Sequence, residues 1–259
     1  MKPNAFDRDE KRTLSEKKPS ATVRGAGELS GGEYSKILIL GSGAIAGDVR
    51  AERFRSFGSG ELQGVAEIGS LSVVGSGSFD AGLTAGHVRA LGALDVRGRL
   101  EARKLTVTGA CEAGGHVAVD EVRILGLLEC QRVDTASFRM RGAVEIDGLL
   151  SGDSVELHLG GMDSRVEEIG GERVEVWRYS FGKRNPLVKA LGWLCNPGIR
   201  ANLRVSTVEA DDVTLENTRA ETVRGKRVRI GAGCEIDEVE YEESLTVHPK
   251  AEVGKRTKR

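Results

Sequence analysis

The sequence predicts an all-β fold, a triangular single-stranded β-helix of about 17 residues per coil. Three observations carry that expectation: glycines recur at a fixed spacing, apolar residues recur at the same spacing in independent columns, and within each repeat the apolar residues come in pairs two apart. Gly41, Gly58, Gly75, Gly92, Gly109 and Gly126 are each 17 residues apart, and Gly142 follows one residue early. The same lag joins Ile45, Leu62, Phe79, Val96, Ala113 and Cys130. It also joins Ile37, Phe54, Leu71, Val88, Leu105 and Val122, and again Val49, Ala66, Leu83, Leu100 and Val117. Self-similarity at a fixed period marks stacked repeats that bury one another's apolar faces.

Within one repeat the pairs are Ile37 with Ile39, Gly43 with Ile45, and Val49 with Ala51, before Phe54 opens the next coil. Alternate residues of a strand share a face, so each pair reads as a short strand with two side chains turned inward. The steps between pairs are six, six and five, which gives three strands and three corners per coil. Glycines fall beside corners, where a positive φ or a tight bend excludes a Cβ. No segment of this ladder builds the i, i+3, i+4, i+7 stripe of an amphipathic helix.

Taken along the chain, residues 1–21 are mostly charged or polar and are expected to form a disordered N-terminal tail. The first solenoid segment is placed at 22–176, its repeats legible from about residue 37. Residues 177–202 break the template and hold Trp177, Tyr179, Phe181, Trp193 and two prolines. Within this insertion, Asn185 and Pro186 read as a cap and first helical position, with Leu187, Leu191 and Leu194 at helical spacing. Leu187, Val188, Leu191, Trp193 and Leu194 are the candidate residues for contact with a partner or a membrane surface, or for packing back on the solenoid. A second segment spans 203–253, with Val213, Ile230 and Val247 at the 17-residue lag, and 254–259 reads as a basic C-terminal tail.

Composition narrows the function. Of 259 residues 35 are glycine and only 5 proline, which excludes collagen and argues against a proline-rich linker. Aromatics are 4%, so the core must be built from small aliphatics. Lys and Arg number 38 against 39 Asp and Glu, so no global field draws the chain to nucleic acid. The longest uninterrupted apolar run is Ile37 to Leu40, far short of the ~20 residues of a membrane span, and no signal-peptide core is present. A cytoplasmic location is expected, with peripheral contact at the inner face of the cell membrane as an addition.

Chemistry-bearing residues give no constellation. Cys111, Cys130, Cys195 and Cys234 lack zinc-site spacing and read as buried thiols. His87, His116, His158 and His248 fall in different phases of the repeat, none beside an evident acid/base pair, and read as surface groups. No phosphate-binding or dinucleotide fingerprint occurs, because the glycine pairs precede strands and corners, so no catalytic residue, metal or cofactor is expected.

The repeated G-x-G-x-φ-x-G units, such as Gly41-Ser-Gly-Ala-Ile-Ala-Gly47 and Gly58-Ser-Gly-Glu-Leu-Gln-Gly64, together with the apolar columns, resemble the bactofilins, bacterial polymer-forming cytoskeletal proteins. Val166-Glu-Glu-Ile-Gly-Gly171 and the stretch from Glu209 to Tyr241 resemble the longer two-part members of spore-forming Gram-positive bacteria. The resemblance covers about residues 22–250. It implies a right-handed β-helix that polymerises end to end without nucleotide and scaffolds cell-envelope or appendage proteins.

Independently of that likeness, a solenoid whose end coils lack caps exposes strand edges and the end of an apolar core, and such ends stack. No capping helix is evident before Ile37 or after Val253. The expected function is therefore that of a non-enzymatic, self-assembling scaffold whose first partner is itself. The alternatives are a monomeric β-solenoid scaffold and a left-handed β-helix acyltransferase. The 17-residue coil with its five-residue step departs from the strict hexapeptide rhythm of the latter.

Overall fold

The computed structural model describes residues 18–178 and 201–259. These form a single nine-stranded parallel sheet in strict chain order, wound into a β-solenoid of about 11 turns. The strands are β1 (Ser20–Leu62), β2 (Ala66–Phe79), β3 (Leu83–Val96), β4 (Leu100–Leu159), β5 (Ser164–Arg178), β6 (Leu203–Leu215), β7 (Thr218–Ile230), β8 (Glu235–Val247) and β9 (Glu252–Lys258). β1 and β4 run on through corners and hold several coils each, which explains their 43 and 60 residues.

Register follows the sequence lag. Leu62 sits beside Phe79 and Phe79 beside Val96, one coil apart. Ile45, Leu62, Phe79 and Val96 are no more than 2% exposed, as are Ile37, Phe54, Leu71 and Val88. Each such side chain contributes about 1.5–3 kcal/mol on leaving water, and like stacks on like because every level presents the same cross-section. Phe54 and Phe79, on different sides of the interior, meet with ring centroids 6.3 Å apart and tilted. The buried polar residues are few. Ser164 Oγ accepts from Val144 N–H at 3.1 Å, and Thr218 Oγ1 donates to the Glu216 carbonyl at 3.0 Å.

The predicted glycine column stands at a corner. From Gly41 to Gly142 its members have φ between +113° and +136°. A Cβ on any of them would lie 1.9–2.4 Å from the carbonyl oxygen of the glycine one coil earlier. Gly25 precedes Gly41 in this stack, one coil before the first glycine that the sequence reading placed there.

Several boundaries differ from expectation. β1 begins at Ser20, so the solenoid takes in residues assigned to the N-terminal tail and a coil before Ile37. Trp177 lies inside β5 and beside His158 of the previous coil, not in a non-repeating insertion. Its Nε1 donates to Glu175 Oε2 at 3.3 Å. β5 pairs directly with β6, Ser164 beside Leu203, so the two solenoid segments continue as one stack across the interruption. In the second segment Val213 faces Val228 and Leu215 faces Ile230, so aligning Val213 with Ile230 is wrong by two residues. Ile230 beside Val247 is as expected, and Ile236 stands beside Val253 at the same lag. Finally, Glu252–Lys258 forms β9 along β8, so residues 254–258 belong to the last coil and are not a separate tail. Leu187, Val188, Leu191, Trp193 and Leu194 lie outside the described residues.

Candidate functional site

Among the described residues, interior columns are buried along most of the solenoid and partly buried in its first and last coils. The apolar residues packed against the core but only partly buried are Leu29 and Tyr34 in the first coil, Tyr241, Leu245, Val247, Ala251 and Val253 in the last coils, and Ala102 between. Side chains in the middle of a solenoid are covered from both sides by neighbouring coils, whereas those in a terminal coil lack one neighbour. β9 pairs with Glu235–Tyr241 and leaves the later stretch of β8, with Leu245 and Val247, without a following coil among the described residues. Leu245 and Val247 are the end of the core, and the outer edge of β9 is an unpaired strand edge.

Charged side chains bridge neighbouring coils. Arg50 joins Glu33 and Glu67, Lys104 joins Glu121, and Arg227 joins Asp212 and Glu243. Their charge-assisted hydrogen bonds hold the Asp212 and Glu121 carboxyls below their ordinary range. A polar groove of about 480 Å³ crosses the last coils, lined by Glu168, Glu209, Arg224, Glu240 and Tyr241 among others. Several of its charges are matched: Arg224 meets Glu240 at 2.9 Å and Glu209 at 3.7 Å, and Arg259 also meets Glu240. Apolar residues, Leu149 and Ala210 among them, share its lining with these charges.

Two histidines do lie against carboxylates, contrary to the sequence reading. His116 Nε2 is 2.5 Å from Asp134 Oδ2, and Arg132 donates to both oxygens of Asp134. The Arg132 bonds, aided by His116, hold the Asp134 carboxyl below its usual value. His158 Nε2 is 2.6 Å from Glu156 Oε1, and Arg139 donates to Glu156 Oε2. Partial burial raises the Glu156 carboxyl, and the His158 and Arg139 bonds outweigh it, so the net shift is downward. Residues one coil apart become lateral neighbours, which brings His116 to Asp134 and Arg139 to Glu156, whereas His158 and Glu156 stand two apart along one strand. Among the described residues no group of three or more His, Cys, Asp and Glu is placed to hold a metal.

Cys111, Cys130 and Cys234 are buried free thiols. Desolvation pushes Cys111 and Cys130 up to about 12 and Cys234 up to about 11, so these thiols are unreactive at neutral pH. One feature escaped the sequence reading although its signal was available. Leu40, Phe57, Val74, Leu91 and Leu125 are exposed, and they recur at the same 17-residue lag, with Thr108 completing the column.

The fold defines the chain as a parallel β-solenoid, with partly buried apolar residues in its first and last described coils. No family model matches it, and no solved structure matches it. Among curated proteins it is similar to "Uncharacterized protein YhbF" of Bacillus subtilis (strain 168), 37% identical over 112 residues, which is 43% of this chain and 42% of that protein. It is also similar to "Uncharacterized protein YhbE" of the same organism, 36% identical over 114 residues, 44% of each chain. The matched region is thus less than half the length of these relatives. No helix among the described residues is long and apolar enough to cross a membrane.

Proposed function

We propose that this chain is a bactofilin-like structural protein that assembles end to end into filaments without nucleotide and scaffolds cell-envelope or appendage-associated proteins from the cytoplasmic side. The observation that carries this reading is the concentration of half-buried core residues in the terminal coils, above all Leu245 and Val247. A second copy stacked on such an end supplies the missing level: its strand edge pairs with β9 and its apolar interior continues the columns. Polymerisation of this kind needs no nucleotide, because the driving force is the completion of a core. The test is electron microscopy of the purified full-length protein in nucleotide-free buffer. Filaments are expected. Discrete trimers would favour a β-helix transferase and monomers a capped scaffold, and either would overturn the proposal.

A further inference from the structure

Leu40, Phe57, Val74, Leu91, Thr108 and Leu125 form an exposed stripe along the solenoid. Phe57 sits beside Val74, Val74 beside Leu91 and Leu91 beside Thr108 in adjacent coils. Leu91 is 55% exposed, Leu125 52% and Phe57 48%, in a chain whose other columns of large apolar residues are turned inward. Six levels span about 24 Å at the spacing of strands. The exposed apolar surface is on the order of 400 Å², the size at which a patch marks an interaction site.

Charge is sorted on either side of the stripe. Two residues before the stripe runs a column that is basic at alternate levels, Arg55, Arg89 and Arg123, and continues past the stripe to Arg139. Four residues after it, beyond the glycine corner, stands an acidic column that includes Glu61, Asp95, Glu112 and Glu129. The two columns match in sign at every level but one, where Thr106 stands against Glu112. Arg55 shares its coil with Glu61, Arg89 with Asp95 and Arg123 with Glu129, while at the level between the first two both columns carry serine, Ser72 and Ser78. Arg55 and Arg89 make no ion pair within the described chain, and neither do Glu61, Asp95 and Glu112. The described basic side chains that do pair find partners elsewhere, Arg123 on Glu121 and Arg139 on Glu156.

We infer that the stripe is the core of a side-by-side interface with a second copy of this chain, the two solenoids lying parallel and in register about a two-fold axis along their length. That axis sets stripe against stripe and puts the basic column of each copy across from the acidic column of the other at the same level, so Arg55 meets the level of Glu61 and Arg89 that of Asp95. An antiparallel pair joined through the same stripe sets basic column beside basic column and acidic beside acidic. An anionic membrane surface would meet the acidic column as well as the basic one. The stripes alone would bury about 800 Å² in total, short of the ~1,200 Å² of a specific interface, and the charged flanks supply the rest as a polar rim.

The test uses the full-length protein with Cys195→Ser and a Thr108→Cys reporter, treated with a short bismaleimide. Parallel, in-register copies bring the two reporters together, so a covalent dimer on a denaturing gel is expected. Adding Phe57→Lys and Leu91→Lys, both at exposed sites, should abolish that dimer while circular dichroism keeps its β signal. A cross-link obtained only on mixing the reporter with a Phe57→Cys protein would mean antiparallel copies and overturn the proposal. So would absence of any cross-link. Binding to phosphatidylglycerol vesicles that is lost in the lysine variant, with no cross-link, would make the stripe a membrane contact instead. The gel reads lateral pairing whether or not the solenoids also stack end to end, so this result and that of the filament test are separable.

Discussion

At Gly92 the coil has no room for a methyl group. A Cβ there would lie 2.1 Å from the Gly75 carbonyl oxygen, and the φ of +125° is one that L side chains rarely adopt. Relief would require two coils to separate at that corner and lengthen the backbone bonds beside it. Gly161 shares the positive φ, +87°, but a Cβ there meets nothing within 4 Å. Gly92→Ala should therefore lower stability by at least about 2 kcal/mol, while Gly161→Ala should cost about 1 kcal/mol, the backbone preference alone. Urea denaturation of both variants checks this, and equal midpoints would show that the corner can relax. The glycine column was legible in the sequence because sterics at that corner admit one residue type. The exposed column one residue earlier tolerates Thr108 among its apolar members, which weakens its signal. A search guided by burial looks for inward columns and passes over it.

At the scale of strands, registry rather than identity was the harder quantity to read. Shifting β7 by two residues against β6 keeps every inward side chain inward, because strand side chains alternate with period two. Val213 could thus be set against Ile230 as easily as against Val228, and only the shorter coil in the structure decides for Val228. β9 was hidden for a related reason: Val253 is its one apolar residue in an inward column, and the next such position, beside Val239, is Arg256. Coil-to-coil ion pairs, which no linear motif announces, make a prediction at this scale. The carboxyls of Glu121, Asp134, Glu156, Asp212 and Glu238 all lie below their ordinary values. A carboxylate with a depressed folded-state pKa stabilises the fold above its unfolded-state pKa of about 4, and that contribution is lost as pH falls through the folded value. The urea midpoint should drop as pH is lowered from about 5 to about 3, and the drop should shrink in an Asp134→Asn, Glu156→Gln variant, which lacks two of the linked groups. Both groups are partly exposed, so solvent screening reduces the effect. A variant with the same pH slope as the parent would remove these pairs from the account.

Across the whole molecule, near-zero net charge conceals its arrangement. The 38 basic and 39 acidic residues cancel in sum, yet the solenoid sorts part of them into columns of one sign, since any position repeated every coil becomes a line on the surface. The same logic places the assembly surfaces: lateral contacts belong to columns, axial contacts to the first and last coils. About 11 turns at about 4.8 Å each give a solenoid some 50 Å long, so end-to-end stacking should produce an axial repeat near that length. Leu245 sits in the core column of β8 and is partly buried, with no later coil over it among the described residues. Leu245→Glu would place a carboxylate where the next copy's apolar interior must dock, and burying it unpaired there costs several kcal/mol, whereas in the unassembled protein the partly exposed site lets it reach water. The variant should therefore fold, with an unchanged β spectrum and a small change in urea midpoint, yet form no filaments at concentrations where the parent does. Sedimentation and electron microscopy read the outcome. Filaments of unaltered repeat would show that Leu245 is not at the junction and that the axial contact uses some other surface.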